Sequence, residues 1–286
     1  MKRAAFIFLS IFIFFSCKNK QDTSGIMISD DLGNEFQFKE IPSRVISLAP
    51  SITESIYFLG LDPNLVGVTQ YCDFPEQAKL KTNIGGMLDP NLEIIANLNP
   101  DLIFLTTEGN SQITYKSLKD LGFRVFVLNP KNVEGIVSSL EKLNSIFKNP
   151  VSEIILKEFK KELYSIADDS QTRKYAGFLA LKPLVSFNKN TFLSDVFKKS
   201  GFRNIYENEN LGYPSIAEED LFSKDPDYLF VFSGKSNEAI VSKELEQRFN
   251  RLKSVRYKSY YVLDENVFTR PGPRVLNSIK KLKTIR

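Results

Sequence analysis

Pro100-Asp101-Leu102-Ile103-Phe104-Leu105 and Pro226-Asp227-Tyr228-Leu229-Phe230-Val231 are one phrase written twice, 126 positions apart. Each opens with Pro-Asp and runs into four apolar or aromatic residues. A short apolar run after a turn signal predicts a buried strand. Glu93 and Glu219 stand at the same distance before the two phrases. At an offset of 135, Val125-Phe126-Val127-Leu128-Asn129 falls on Tyr260-Tyr261-Val262-Leu263-Asp264. Ile46 to Gly60 falls on Val185 to Gly201 with a two-residue insertion. An internal repeat of this kind predicts two lobes of the same topology.

Outward from these phrases, strand and helix patterns alternate. In the first half, Val45–Leu48, Leu65–Val68, Leu102–Leu105 and Val125–Leu128 read as strands. Ser51–Leu59, Asn91–Leu98, Gln112–Leu121 and Val133–Phe147 read as helices between them. Pro183–Phe187, Tyr228–Phe232 and Tyr260–Leu263 are the strands expected in the second half. Alternation predicts an α/β fold with parallel sheets covered on both faces. Between the halves, Ile155, Phe159, Leu163 and Ile166 form one stripe at helical spacing, and Pro150 suits a helix start. One amphipathic helix, within 149–170, is expected to join a lobe at 26–148 to a lobe at 171–286. A helical connector without glycine is stiff, so hinge closure should be small.

The chain has 286 residues, 42% of them hydrophobic and 25% charged, which fits two soluble domains. Its first residues differ. Lys2-Arg3 precede the apolar run Ala4–Phe15, which is shorter than the roughly 20 residues of a membrane span. Residues 1–16 therefore read as a secretory signal. Ser16-Cys17 follows and resembles a lipoprotein processing site, with Cys17 the lipidated residue and 17–25 a polar tether. The competing reading is an ordinary secretory signal with Cys17 a bystander. The only other cysteine is Cys72, so a lipidated Cys17 leaves no intramolecular disulfide. The formal charge of +4 falls to +2 when Lys2 and Arg3 leave with the signal, too little for a nucleic-acid footprint.

The chain contains no histidine. That excludes a Ser-His-Asp triad, His-Cys zinc sites and axial histidine on haem or cobalt. Ser233-Gly234-Lys235-Ser236 looks like the end of a phosphate loop, but such a loop needs glycine at 229, which is Leu229. The carboxylates show no paired acid–base pattern. No enzyme signature emerges.

Arg44-Val45-Ile46-Ser47-Leu48-Ala49-Pro50-Ser51-Ile52-Thr53-Glu54 and Val66-Gly67-Val68-Thr69-Gln70-Tyr71-Cys72-Asp73-Phe74-Pro75 resemble the periplasmic binding proteins for cobalamin and iron complexes. Gly85–Glu93, Leu98–Ile103, Tyr213–Leu221 and Arg270-Pro271-Gly272-Pro273-Arg274 continue the resemblance across nearly the whole mature chain. It is strongest to the cobalamin branch. The resemblance implies two Rossmann-like lobes joined by one long α-helix, with the ligand cleft between them. It implies a monomeric extracytoplasmic lipoprotein of an ABC importer, delivering cobalamin or a related corrinoid to a membrane permease and its ATPase. A ferric siderophore or haem is the alternative ligand. A surface enzyme or adhesin on the same scaffold is the alternative of another class.

Position by position, the resemblance places Tyr71, Met87, Tyr213 and Asn266 against the ligand, with Phe187 the equivalent of a further aromatic. Core packing is the competing role for each aromatic. Arg270 has two readings: facing the cleft to hold an anionic or carbonyl group, or paired at the surface with Asp264 or Glu265. For Glu93 and Glu219 the resemblance implies docking to permease arginines, one glutamate per lobe. Helix capping competes at both, although Ser215-Ile216-Ala217-Glu218 reads as a capping box that leaves Glu219 free. No resident cofactor or protein-bound metal is expected.

Overall fold

The computed structural model describes residues 25–167 and 173–285. The expected signal segment, Cys17 and residues 168–172 lie outside the described residues.

The first lobe opens with a hairpin, β1 (Ile26–Ser29) and β2 (Glu35–Phe38). Then come β3 (Val45–Ser47), α1 (Pro50–Phe58), β4 (Leu65–Val68), β5 (Thr82–Asn83) and α2 (Leu92–Asn97). It closes with β6 (Leu102–Leu105), α3 (Gln112–Asp120), β7 (Val125–Val127) and α4 (Val133–Phe147). Its five-stranded sheet has the order β5-β4-β3-β6-β7 and is parallel throughout. The connector is α5 (Pro150–Ser165).

The second lobe starts with β8 (Arg173–Phe178), β9 (Ala180–Leu181), β10 (Leu184–Val185), α6 (Phe192–Lys199) and β11 (Phe202–Asn204). It continues with β12 (Ser215–Ile216), α7 (Glu218–Lys224), β13 (Tyr228–Ser233) and α8 (Glu238–Arg248). It ends with α9 (Lys253–Arg256), β14 (Tyr260–Asp264), α10 (Glu265–Phe268) and α11 (Val275–Lys283). Its parallel sheet has the order β11-β8-β13-β14, and β12-β10-β9 form a small antiparallel sheet beside it.

The repeat is visible in backbone detail. Asn99 and Asp225, at the 126-residue offset, both adopt left-handed φ, 44° and 37°. Both precede Pro-Asp, and a following proline disfavours the right-handed helical region. Asn and Asp are the non-glycine residues that enter the left-handed region most readily. The aspartate amides then bond alike, Asp101 to the Arg44 carbonyl and Asp227 to that of Lys174. Gly60 and Gly201 end α1 and α6, both at positive φ (68° and 84°), a conformation glycine enters without a Cβ clash.

One expected strand is displaced. The parallel strand equivalent to β3 is β8, and 183–187 holds only the two-residue β10 of the antiparallel sheet. The match of Ile46–Gly60 to Val185–Gly201 therefore holds for the helix and its glycine, not for the strand before it. The capping box is also absent: Ala217 is the N-cap of α7, with no side-chain bond, and Glu218 instead accepts from Arg248 Nε at 2.8 Å. Asn91 caps α2, its side chain accepting from the Ile94 amide.

Asn149 caps α5, and Pro150 occupies its first turn, where a missing N–H costs nothing. Leu156, Phe159 and Leu163 are its buried face; Ile155 is half-buried. One apolar cluster runs from Ile56 and Leu143 of the first lobe through Phe159 to Phe197, Ile279 and Leu282 of the second. Asp195 of α6 reaches across to accept from the Val133 amide at the start of α4, at 2.9 Å. The lobes are thus fused along the connector and separate only on the opposite side. Among the described residues no helix is long and apolar enough to cross a membrane.

Candidate functional site

In each parallel sheet the chain runs first one way and then the other. The reversals fall between β3 and β6 and between β8 and β13, where the diverging loops leave a crevice. Asn110 holds that crevice open in the first lobe. Its Oδ1 accepts from the Thr106 amide at 2.9 Å, and its Nδ2 donates to the Leu48 and Met87 carbonyls at 3.0 and 2.7 Å. The loops after β3, β5 and β6 are thereby fixed together.

A cleft of ≈ 450 Å³ lies above this point, open to solvent. Ala49, Met87, Thr106 and Tyr71 line it from the first lobe, and Tyr213 and Arg270 from the second. Tyr71 and Tyr213 are each about half exposed, at 51% and 50%, so both rings offer free faces. Such faces suit a flat, largely apolar ligand. Met87 packs on Gly109: a Cβ there would sit 2.0 Å from the Met87 methyl group. Burial, with Glu108 adding to it, raises the Tyr213 phenol above its ordinary range.

Beneath the cleft floor lies an ion network between lobes. Glu54 of α1 is almost wholly buried. Arg274 donates to its two oxygens through Nε at 2.7 Å and Nη2 at 2.5 Å. Arg270 Nη1 donates to Glu54 at 3.1 Å and to Asp73 at 2.6 Å. Arg270 Nη2 donates to Asn266 Oδ1 at 2.6 Å and to the Tyr71 carbonyl at 3.4 Å. The Arg274 guanidinium also lies over the Phe74 ring, 4.4 Å from its centre. Two carboxylates of one lobe meet two guanidiniums of the other, so the charges of the network balance around the buried Glu54. Burial lifts the Glu54 carboxyl, and the two arginines oppose that lift. For Asp73 burial also pulls upward, but the hydrogen bond and charge of Arg270 prevail and hold it below its ordinary value.

The structure thus gathers Tyr71, Met87, Tyr213 and Arg270 at one cleft. Arg270 pairs with neither Asp264 nor Glu265; Asp264 meets Lys235 instead. Asn266 is not part of the lining but supports Arg270 from behind. Phe187 is a correction: it is fully buried between Tyr175, Phe197 and Phe232, in the second lobe's aromatic core. Glu93 and Glu219 are exposed, each the second residue of its helix, α2 and α7. Sequence reasoning passed over Glu54 and Asp73. The signal for Glu54 was its isolation: it is the one charged residue between Arg44 and Asp62, on a helix that ends Ile56-Tyr57-Phe58.

A larger cavity, ≈ 720 Å³, opens on the opposite side, where Phe58, Phe74, Ile155, Phe159 and Leu276 meet. It lies against the connector, and the loop that carries Tyr71 reaches it only through Phe74 and Pro75. No cluster of three or more metal-ligating side chains occurs among the described residues.

A model of the family described as "Periplasmic binding protein" matches residues 45–267. The vitamin B12-binding protein of Vibrio cholerae is 29% identical over 246 residues, covering 84% of this chain and 88% of that protein. The crystal structure of the periplasmic vitamin B12-binding protein BtuF of Vibrio cholerae superposes with a TM-score of 0.77 at 27% identity, covering 85% of this chain and 96% of that one. The periplasmic heme-binding protein RhuT from Roseiflexus sp. RS-1 shares the fold, with a TM-score of 0.75 at 19% identity and 85% and 97% coverage.

Proposed function

The chain belongs to the periplasmic binding protein family, and from that premise we propose that it captures cobalamin or a related corrinoid outside the cytoplasm and hands it to an ABC permease. The observation that carries this reading is the interlobe cleft, with two half-exposed tyrosines facing it from opposite lobes. Aromatic faces with few polar fixings suit a large planar macrocycle, and the open side leaves room for its rim. The sequence likeness to vitamin B12-binding proteins points the same way. Glu93 and Glu219 are the docking points for permease arginines, and acyl chains on Cys17 tether the protein to the membrane. The protein acts as a monomer and performs no chemistry on its ligand.

The test is direct. The chain from Lys18 onward, mixed with cyanocobalamin and desalted, should carry the corrin's visible absorbance at near-stoichiometric amount. Tyr71→Ala and Tyr213→Ala should each weaken retention about tenfold, the loss expected for one stacked aromatic wall. A folded, colourless protein would refute cobalamin as the ligand and turn the search to iron complexes.

A further inference from the structure

Arg270 is the one cation among the described residues lining the cleft. A cleft arginine ordinarily recruits a carboxylate or phosphate, because its fork matches both. Here the fork is already engaged. Nη1 serves Asp73 and Glu54, Nη2 serves Asn266 and the Tyr71 carbonyl, and only the Nε–H has no partner among the described residues. Of these acceptors Glu54 is locked away, its side chain 2% exposed, whereas the Asp73 side chain is 44% exposed to solvent. Asp73 holds the Arg270 nitrogen that a ligand's own anion would have to reach. Glu108, in the cleft lining, brings a further negative charge, and its ion-pair partner among the described residues is the exposed Lys131 at 2.6 Å.

We propose that Asp73 sets the charge of ligand the cleft accepts: it occupies Arg270 as a built-in counter-ion, so that ligands with free carboxylates are turned away and amide-rimmed ones are admitted. The inference rests on reading the cleft as the ligand site. A carboxylate ligand must displace Asp73 and meet its charge unpaired, which is the repulsive half of specificity. An amide-rimmed ligand needs no such exchange and stacks on Tyr71 and Tyr213. Asp73 acts through Arg270 and is a positioning residue.

Two probes separate the cases: haemin, with two free propionates, and cyanocobalamin, whose corrin rim carries amides. Dissociation constants for both are measured by tyrosine fluorescence quenching. Asp73→Asn should raise haemin affinity about tenfold, the worth of one hydrogen bond to a charged group. Asp73→Ser, which also removes the charge, should do the same. Asp73→Glu should keep wild-type discrimination. The double variant Asp73→Asn/Arg270→Gln should lose the gain. Haemin affinity unchanged in both charge-removing variants, or a gain that survives without Arg270, overturns the proposal. Cyanocobalamin binding by the wild type is read separately. Its failure removes the cobalamin reading, while the haemin series still decides the role of Asp73.

Discussion

Glu54 is a carboxylate with almost no water of its own, and its charge is tolerable only because two guanidiniums close on it. Removing one member of such a set strands the others. Glu54→Ala is therefore expected to cost about 3–5 kcal/mol, read as a lower urea midpoint at unchanged slope. Asp101 carries a different kind of stabilisation. Its Oδ2 accepts from the Ser43 amide and hydroxyl at 2.7 and 2.9 Å and from the Arg44 amide at 2.9 Å. Slight burial raises this carboxyl, but the bonds from Arg44 and Ser43 outweigh it and lower it below 3.8. A lowered native value means the unfolded chain binds the proton more readily, so stability rises with pH in that window. The Asp101 contribution is full above pH 3.8 and is lost as the pH falls through the native value. Wild type and Asp101→Asn should differ in urea stability at pH 6 and converge in acid. A gap that persists in acid would show that charge is not the source.

Helix ends show how far local chemistry reaches. Nothing lies within 4 Å of a Cβ placed on Gly60, so the cost of Gly60→Ala is the strain of holding an L residue at φ 68°. About 1 kcal/mol of destabilisation is expected, measured by urea unfolding, with Gly60→Asn less affected. Such elements were legible in sequence: the strand-to-helix phrases around Leu102 and Tyr228 hold in place, and α4 spans Val133–Phe147 as its periodicity predicts. The strand β8 was not. It begins with Arg173, half-buried, and Lys174, exposed, and turns inward only from Tyr175. The run 183–187 looked more strand-like but is committed by Pro183 and a two-residue pairing to a small antiparallel sheet. The same divide runs through the site. Tyr71, Met87 and Tyr213 follow from strand ends and resemblance, whereas Phe187, two residues past a strand, turned inward because its neighbours are aromatic. Arg270 meeting Glu54 and Asp73 is a contact across roughly two hundred residues, which no local pattern encodes.

At the scale of the molecule, two equivalent lobes present two equivalent glutamates. Glu93 and Glu219 enter the same turn of corresponding helices, and neither has an ion-pair partner among the described residues. Charge reversal at both, Glu93→Arg with Glu219→Arg, should leave cyanocobalamin retention by the purified protein intact and abolish uptake in cells. Uptake at the wild-type rate would remove the docking role. The fused side of the molecule carries another consequence. Because one apolar cluster threads the first lobe, the connector and the second lobe, neither half can melt without exposing the flank of the other. Heating should give a single calorimetric peak whose measured enthalpy equals the van't Hoff value, as for one cooperative unit. What repeats in the sequence as two has been welded, thermodynamically, into one.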